Sequence, residues 1–322
     1  MTTLVFGGAG FVGSYLVRRL LDEGREVVSL DLAMSHPPMP PLIGMMNKVR
    51  FQCCATENRT EVIEAVRKYK PTQIVNLVAS YSPELENDPR KAIQVHVGSQ
   101  LNILEAAALY GVKRVLFCSS DHVYGEGRQG LLDEDSLLKP GELYGACKVL
   151  NEFLGLHYYT KFGVDIIVLR LSWIMGWGRG QRRVISHGDP WIVYLFENAL
   201  KGLPVRLRFP DVKTPIVYIK DQVRALMLAL TVQAPQSRIF DVADEPHSSR
   251  EAAEIVKQII PAAEIEIVTG EDDDTLTAGL KPPIRVWRDT RISRELGYEP
   301  RYSFRDAIED YLEMAGSGQF RW

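Results

Sequence analysis

Cysteine is scarce and badly spaced for pairing. The chain carries four, Cys53, Cys54, Cys118 and Cys147, with no C-x-x-C and one adjacent pair that ordinary bridge geometry does not accommodate. A disulfide framework is therefore excluded and buried, reduced thiols are expected. Long apolar runs are missing as well. Nowhere does the sequence reach the ~18 consecutive apolar residues that a bilayer span needs, and even the stretch Val223–Val232 is bordered by Lys220 and Asp221 and broken by Arg224. Nor is there an excess of charge of one sign: 38 Lys+Arg against 41 Asp+Glu leave a net charge of -3, too balanced for a surface that tracks nucleic acid or an anionic membrane. The opening Met-Thr-Thr lacks the charged segment and cleavage site of a signal peptide, so a cytoplasmic location is expected. His36, His157, His187 and His247 show no ligand spacing, and no metal is expected.

What is present is alternation. Short β-branched runs at Leu4–Phe6, Val27–Leu30, Val49–Cys53, Gln73–Val78, Val115–Cys118 and Val164–Leu169 are separated by segments with apolar residues at helical spacing: Val12–Glu23, Glu61–Lys68, Ala92–Tyr110 and Tyr144–Phe162. That order predicts parallel βαβ units, an α/β fold with a Rossmann-type doubly wound sheet. The prolines of His36–Pro41 predict a loop after the second strand. Regularity breaks after Arg170, where Gly176, Gly178 and Gly180 with Arg179, Arg182 and Arg183 predict a long loop. A helix Pro190–Lys201 follows, then strands Ile216–Ile219 and Arg238–Val242 returning to the sheet with a helix Asp221–Val232 between them. A helix from Ser248, a strand Glu264–Val268, an acidic loop Gly270–Asp274 and a closing helix Ser303–Ala315 complete a smaller C-terminal substrate lobe. The expected division is residues 1–172 plus 216–245 for the nucleotide-binding domain, and residues 173–215 plus 246–322 for the lobe.

The first turn carries the chemistry of a dinucleotide site. Gly7, Gly10 and Gly13 stand at G-x-x-G-x-x-G spacing directly after the first strand, with Phe11 and Val12 opening the first helix. Glycines there allow the tight turn and close approach of a pyrophosphate to helix N-terminal amides. Asp31 ends the second strand 18 residues past Gly13, near the ~20-residue offset of a carboxylate that bonds ribose hydroxyls and repels a 2′-phosphate. NAD is thus the expected cofactor.

The reactive end lies further along. Tyr144 and Lys148, four residues apart, share one face of a helix. A phenol of ordinary pKa ~10 is a poor base at neutral pH, but a neighbouring ammonium favours its ionisation. The strand ending at Phe117-Cys-Ser-Ser120 brings a hydroxyl to the same carboxyl edge.

In these elements the chain resembles the extended short-chain dehydrogenase/reductase family, which includes nucleotide-sugar epimerases and dehydratases. The resemblance rests on Gly7, Gly10, Gly13 and Asp31, on Leu77-Val-Ala79, and on Ser119-Ser-Asp-His-Val-Tyr-Gly125. Tyr144 with Lys148, Leu169-Arg170 before Gly176, and Gly297-Tyr-Glu-Pro300 extend it. It implies NAD held with help from Ala79 and Lys148, Ser120 orienting the substrate, Tyr144 exchanging its proton and Lys148 activating Tyr144. It also implies a sugar or nucleotide-sugar substrate, and a homodimer formed by the Ala92–Tyr110 and Tyr144–Phe162 helices through Leu101, Leu104, Leu150, Leu154 and Tyr158, residues that equally suit packing on the sheet. Departures from the family pattern concern the substrate more than the redox chemistry. His96 replaces an Asn, Cys54 replaces an adenine-binding Asp, and Trp173 and Thr214 replace an Asn and an Arg of the diphosphate clamp, for which Arg179, Arg182, Arg208 or Lys213 are candidate substitutes. Ser80, Asp121, His122, Trp173, Arg208 and Thr214 are the candidate substrate contacts. Asp121 and His122 stand where sugar dehydratases resemble Asp-Glu, so that pair is incomplete. Epimerisation is the leading expectation; a dehydrogenase or reductase of a non-nucleotide carbonyl compound and a catalytically idle nucleotide-binding subunit are the alternatives.

Overall fold

The computed structural model describes residues 1–34, 38–80, 83–125, 132–181, 190–208, 210–268 and 291–322. Strands buried on both faces read as continuous apolar runs, and the first six match the expected ones within a few residues: β1 (Thr2–Phe6), β2 (Glu26–Asp31), β3 (Arg50–Cys53), β4 (Gln73–Asn76), β5 (Arg114–Ser120) and β6 (Ile166–Leu171). Beyond them come β7 (Trp173–Met175), β8 (Val205–Leu207), β9 (Lys213–Tyr218), β10 (Ile239–Val242), β11 (Pro246–Ser248) and β12 (Ile265–Ile267). The main sheet has the order β10-β6-β5-β4-β1-β2-β3 with every pairing parallel. One expectation fails here. The strand expected at Ile216–Ile219 does not return to this sheet; as β9 it pairs in parallel with β7 and antiparallel with β11 in a separate three-stranded sheet. A short apolar run encodes an extended, buried segment without naming its neighbours.

The helices are α1 (Phe11–Asp22), α2 (Arg59–Tyr69), α3 (Pro83–Glu86), α4 (Pro89–Ile93), α5 (Ser99–Tyr110), α6 (Leu143–Phe162), α7 (Pro190–Lys201), α8 (Ile219–Thr231), α9 (Ser249–Ile259), α10 (Arg291–Leu296) and α11 (Phe304–Ser317). α1 and α8 pack together on one face of the main sheet, while α2, α5 and α6 pack on the other. The helix expected over Ala92–Tyr110 is present, with the backbone helical from α4 through α5, but Gln94–Gly98 widen it into a π-helical turn, a local widening that proteins tend to keep at functional sites. Among the described residues no helix is long and apolar enough to cross a membrane.

The thiols divide three to one. Cys54, Cys118 and Cys147 are buried as expected, whereas Cys53 is exposed at the edge strand β3 and donates to the Leu32 carbonyl at 2.7 Å. The expected dimer contacts of α5 and α6 also divide. Leu104 is fully buried, and Leu154 and Tyr158 lean on the sheet cluster, while Leu101, Leu150, Phe153 and Phe162 stay exposed.

Candidate functional site

The strand order reverses between β1 and β4, and the crevice at such a reversal, outside the carboxyl ends of the strands, is where open α/β sheets bind ligands. The turn after β1 fills that crevice tightly. Gly7 has φ +79°, and a Cβ added to it would lie 3.0 Å from the Leu77 backbone just past β4. A Cβ on Gly13 would lie 2.1 Å from the Gly7 carbonyl oxygen, and one on Gly8, outside the three fingerprint glycines, 2.5 Å from Ser29 Oγ. Larger residues at these positions would push the turn open. Gly10 then caps α1 with no side chain, leaving the amides of Phe11 and Val12 at an open helix N-terminus. Asp31, at the end of β2, accepts from the Ala9 amide at 3.2 Å and from the Leu32 amide at 2.9 Å, so its carboxylate borders the same turn. Ala79 and Ser80 follow β4 on the other side of the crevice, both half-buried. These residues fit a dinucleotide: a glycine cradle, free amides for a pyrophosphate and a carboxylate for a ribose.

Across the crevice, β5 and α6 bring Ser120, Tyr144 and Lys148 together. Lys148 is 2% exposed, and its Nζ donates to the Cys118 carbonyl at 2.7 Å and lies 5.4 Å from the centre of the Tyr144 ring. Burial lowers its pKa to about 8. The Ser120 hydroxyl lies near enough to the Tyr144 hydroxyl to favour its ionised form. Burial raises the pKa of the Tyr144 phenol above its ordinary value, while Ser120 and the Arg179 charge act in the opposite direction.

Two imidazoles flank that phenol. His96, in the π-helical turn, meets it edge-on at 5.4 Å, and His122 does so at 5.5 Å. His96 is buried and bonded to the Ser80 backbone, with its pKa lowered to about 4 first by burial and then by Lys148, so it is neutral. His122 is half-buried with Nδ1 3.6 Å from Glu142 Oε2, and Asp121, whose pKa burial raises, accepts from Ser120 Oγ at 3.2 Å.

Several supporting residues are not evident from the sequence. Glu86, at the end of α3, accepts from the amides of Leu143 and Tyr144 at 3.2 and 2.9 Å, capping α6 where the side chain of its own N-cap residue, Glu142, makes no capping bond. Glu152 extends the Tyr144–Lys148 face by a further four residues; it binds Arg170 through both oxygens at 2.9 and 2.7 Å and accepts from Ser119 at 2.6 Å. Arg170 in turn donates to the Tyr124 hydroxyl, which donates to Asp241. Breaking a buried, paired charge of this kind costs ~3–5 kcal/mol. The i, i+4, i+8 spacing of Tyr144, Lys148 and Glu152 is the signal that could have found Glu152; the distant Glu86 has none.

The candidate substrate contacts are less convergent. Trp173 lies two residues beyond Leu171, which pairs with Ser120, and so borders the site. Thr214 is buried opposite His247 in the three-stranded sheet. Arg208 follows β8 in the small lobe, and Lys213 pairs with Glu251 at 2.9 Å. Arg182, His36, His187 and the acidic loop 270–274 lie outside the described residues.

A sequence model of the NAD dependent epimerase/dehydratase family matches residues 3–243. The chain is 31% identical over 207 residues to a UDP-glucose 4-epimerase of Mycolicibacterium smegmatis, covering 62% of this chain and 63% of that one. It is 30% identical over 178 residues to a UDP-glucose 4-epimerase of Lacticaseibacillus casei, so the match spans about half (52%) of that relative's length. Among solved structures, a UDP-glucose 4-epimerase of Thermus thermophilus in complex with NAD superposes with a TM-score of 0.78 at 27% identity, covering 97% of this chain and 98% of that one. An L-threonine dehydrogenase of Cupriavidus necator shares the fold with a TM-score of 0.82 at 22% identity over 97% of this chain and 99% of that one.

Proposed function

From a chain that belongs to the NAD dependent epimerase/dehydratase family, we propose an enzyme that moves a hydride to and from a secondary alcohol carbon of a nucleotide sugar, in the manner of a 4-epimerase. The observation that carries the proposal is the meeting of Ser120, Tyr144 and buried Lys148 across the crevice from the Gly7–Gly13 turn and Asp31. NAD, when bound, supplies the acceptor and donor of the hydride.

The chain's own residues do the rest. The Gly7–Gly13 turn, Asp31, Ala79 and Lys148 hold the cofactor. Ser120 hydrogen-bonds the substrate oxygen and sets it beside the Tyr144 hydroxyl. In the oxidising direction Tyr144, as phenolate, takes the proton of the alcohol, and in the reducing direction the phenol so formed returns it to the carbonyl oxygen. The phenolate is favoured by the Lys148 ammonium one turn away. Such proton transfer contributes ~10²–10⁴-fold in rate. His96 stays neutral beside the ring and adds no competing charge.

The test is incubation of the purified protein with NAD and UDP-glucose or UDP-galactose, read by product chromatography and nicotinamide absorbance together. Interconversion with no net NADH supports the proposal; no turnover of either sugar overturns the substrate class. A second reading, net oxidation of a smaller alcohol, is favoured by Trp173 and Thr214 at the clamp positions, and NADH accumulation with a non-nucleotide alcohol would establish it.

A further inference from the structure

The sequence offers the glycine-rich loop after β7 as a grip on the substrate's phosphates, yet its attachments lie at the cofactor end. The Tyr15 hydroxyl of α1 donates to the Trp177 carbonyl at 2.8 Å. Gly176 sits so close to Phe11, the first residue of α1, that a Cβ there would be 3.0 Å from its ring, and 2.4 Å from Ile219. Gly178 has φ +97°, and a Cβ on it would lie 2.7 Å from Pro40 in the loop after β2. Both glycines are thus required by close approach, Gly178 by its backbone conformation as well. Phe11 and Tyr15 belong to α1, the helix that the glycine turn opens, and Pro40 begins the short Pro40–Leu42 turn that packs on α1.

From this strap Arg179 reaches the side chain of Phe11, at the end of the turn where α1 begins. Its guanidinium carbon is 5.9 Å from the centre of the Phe11 ring, and Nη1 donates to the Ile174 carbonyl. Its charge also acts on the Tyr144 phenol, so the cation lies within electrostatic reach of both the turn and the reactive hydroxyl. The turn itself, residues 7–13, contains no basic side chain. A helix N-terminus offers only about half a positive charge, whereas a dinucleotide's pyrophosphate carries two negative ones.

We propose that Arg179 is a cofactor-binding residue that holds the pyrophosphate of NAD against the Gly7–Gly13 turn, an assignment that rests on the NAD reading above and adds a residue to it. A guanidinium suits the task because it offers planar, paired N–H donors to phosphate oxygens and remains charged at all working pH values.

Calorimetry with NAD and with ADP-ribose, which has the pyrophosphate but no nicotinamide, tests it. Arg179→Gln is expected to weaken both ligands alike, by ~10–100-fold, the range of a lost charge-assisted hydrogen bond. Arg179→Lys, which keeps the cation but not the fork, is expected to fall between Arg179→Gln and wild type, and it carries the comparison if Arg179→Gln unfolds. Unchanged affinity for both ligands in either variant overturns the inference, and so does a loss confined to NAD, which would put Arg179 at the nicotinamide. A wild-type chain that binds neither ligand would refute the NAD reading itself, an outcome distinct from a variant that binds both as well as wild type.

Discussion

Lys148 shows how a single residue trades stability for chemistry. Its ordinary pKa of 10.5 falls to about 8 because burial penalises the charged form. Every tenfold loss of proton affinity is worth ~1.4 kcal/mol, so the folded state holds the ammonium at a cost of roughly 3 kcal/mol at neutral pH. The sign follows from proton binding: between pH 8 and 10.5 the unfolded chain binds more protons, so this group's contribution makes stability rise with pH across that window. Lys148→Met is expected to raise the melting temperature of the apoprotein while lowering both NAD affinity and turnover, checked by calorimetry and steady-state kinetics. In the wild type, NAD affinity should decline as the pH rises through about 8 and the ammonium is lost. Tyr144→Phe, by contrast, should leave NAD affinity intact and cut turnover by at least ~10²-fold, since only the hydroxyl is removed; Ser120→Ala should lose less. Asp31→Ala should weaken NAD far more than NADP, and calorimetry showing an unchanged preference would refute the ribose assignment.

At the scale of elements, α6 is positioned by a residue 58 positions before Tyr144. Glu86 satisfies two amides that the helix leaves open, and removal of a helix cap costs ~0.5–2 kcal/mol. Glu86→Ala is therefore expected to lower stability by about 1 kcal/mol in denaturant titration and to reduce kcat with little change in NAD affinity, because the cap bears on Tyr144 rather than on the glycine turn. Contacts of this length mark the boundary of what the sequence discloses. The first six strands and the helices between them are legible because a period of two or 3.6 residues is local, and Gly7, Asp31, Tyr144 and Lys148 are legible because their spacing is fixed within one βα unit or one helix. The partners of β9 are not, since pairing depends on the rest of the chain. The π-helical turn at His96 likewise has no pattern of its own, so the imidazole that lies against Tyr144 stands out in the sequence only as a departure from a family pattern. Glu152 lies between these cases: its spacing is visible, but the need for it emerges only once Arg170 is found buried beside it.

At the scale of the molecule, the apolar residues that remain exposed on α5 and α6 form the clearest unfinished surface. Leu101, Leu150, Phe153 and Phe162 are between 40% and 65% exposed on two helices that pack side by side. Adjoining apolar residues left in water mark association surfaces, and a two-fold axis lets one such patch cover another. A dimer is the expected state, with Leu150→Glu combined with Phe153→Glu expected to give a monomer; light scattering at micromolar concentration checks both, and a wild-type monomer refutes the interface. The packing of Leu104, Leu154 and Tyr158 toward the sheet narrows that surface to the outer edges of the two helices.

Cys53 has a practical value that comes from its position. In the register of β2 with β3 it pairs directly with Asp31, and neighbouring strands are ~4.8 Å apart. Burial pushes the pKa values of the Cys54 and Cys118 thiols up to about 12, which leaves them unreactive at neutral pH, and Cys147 is buried as well. A maleimide fluorophore thus has one accessible anchoring point, one strand away from the carboxylate that borders the glycine turn. The same chain that lacks a disulfide carries a built-in attachment site for an optical reporter of what occupies that turn.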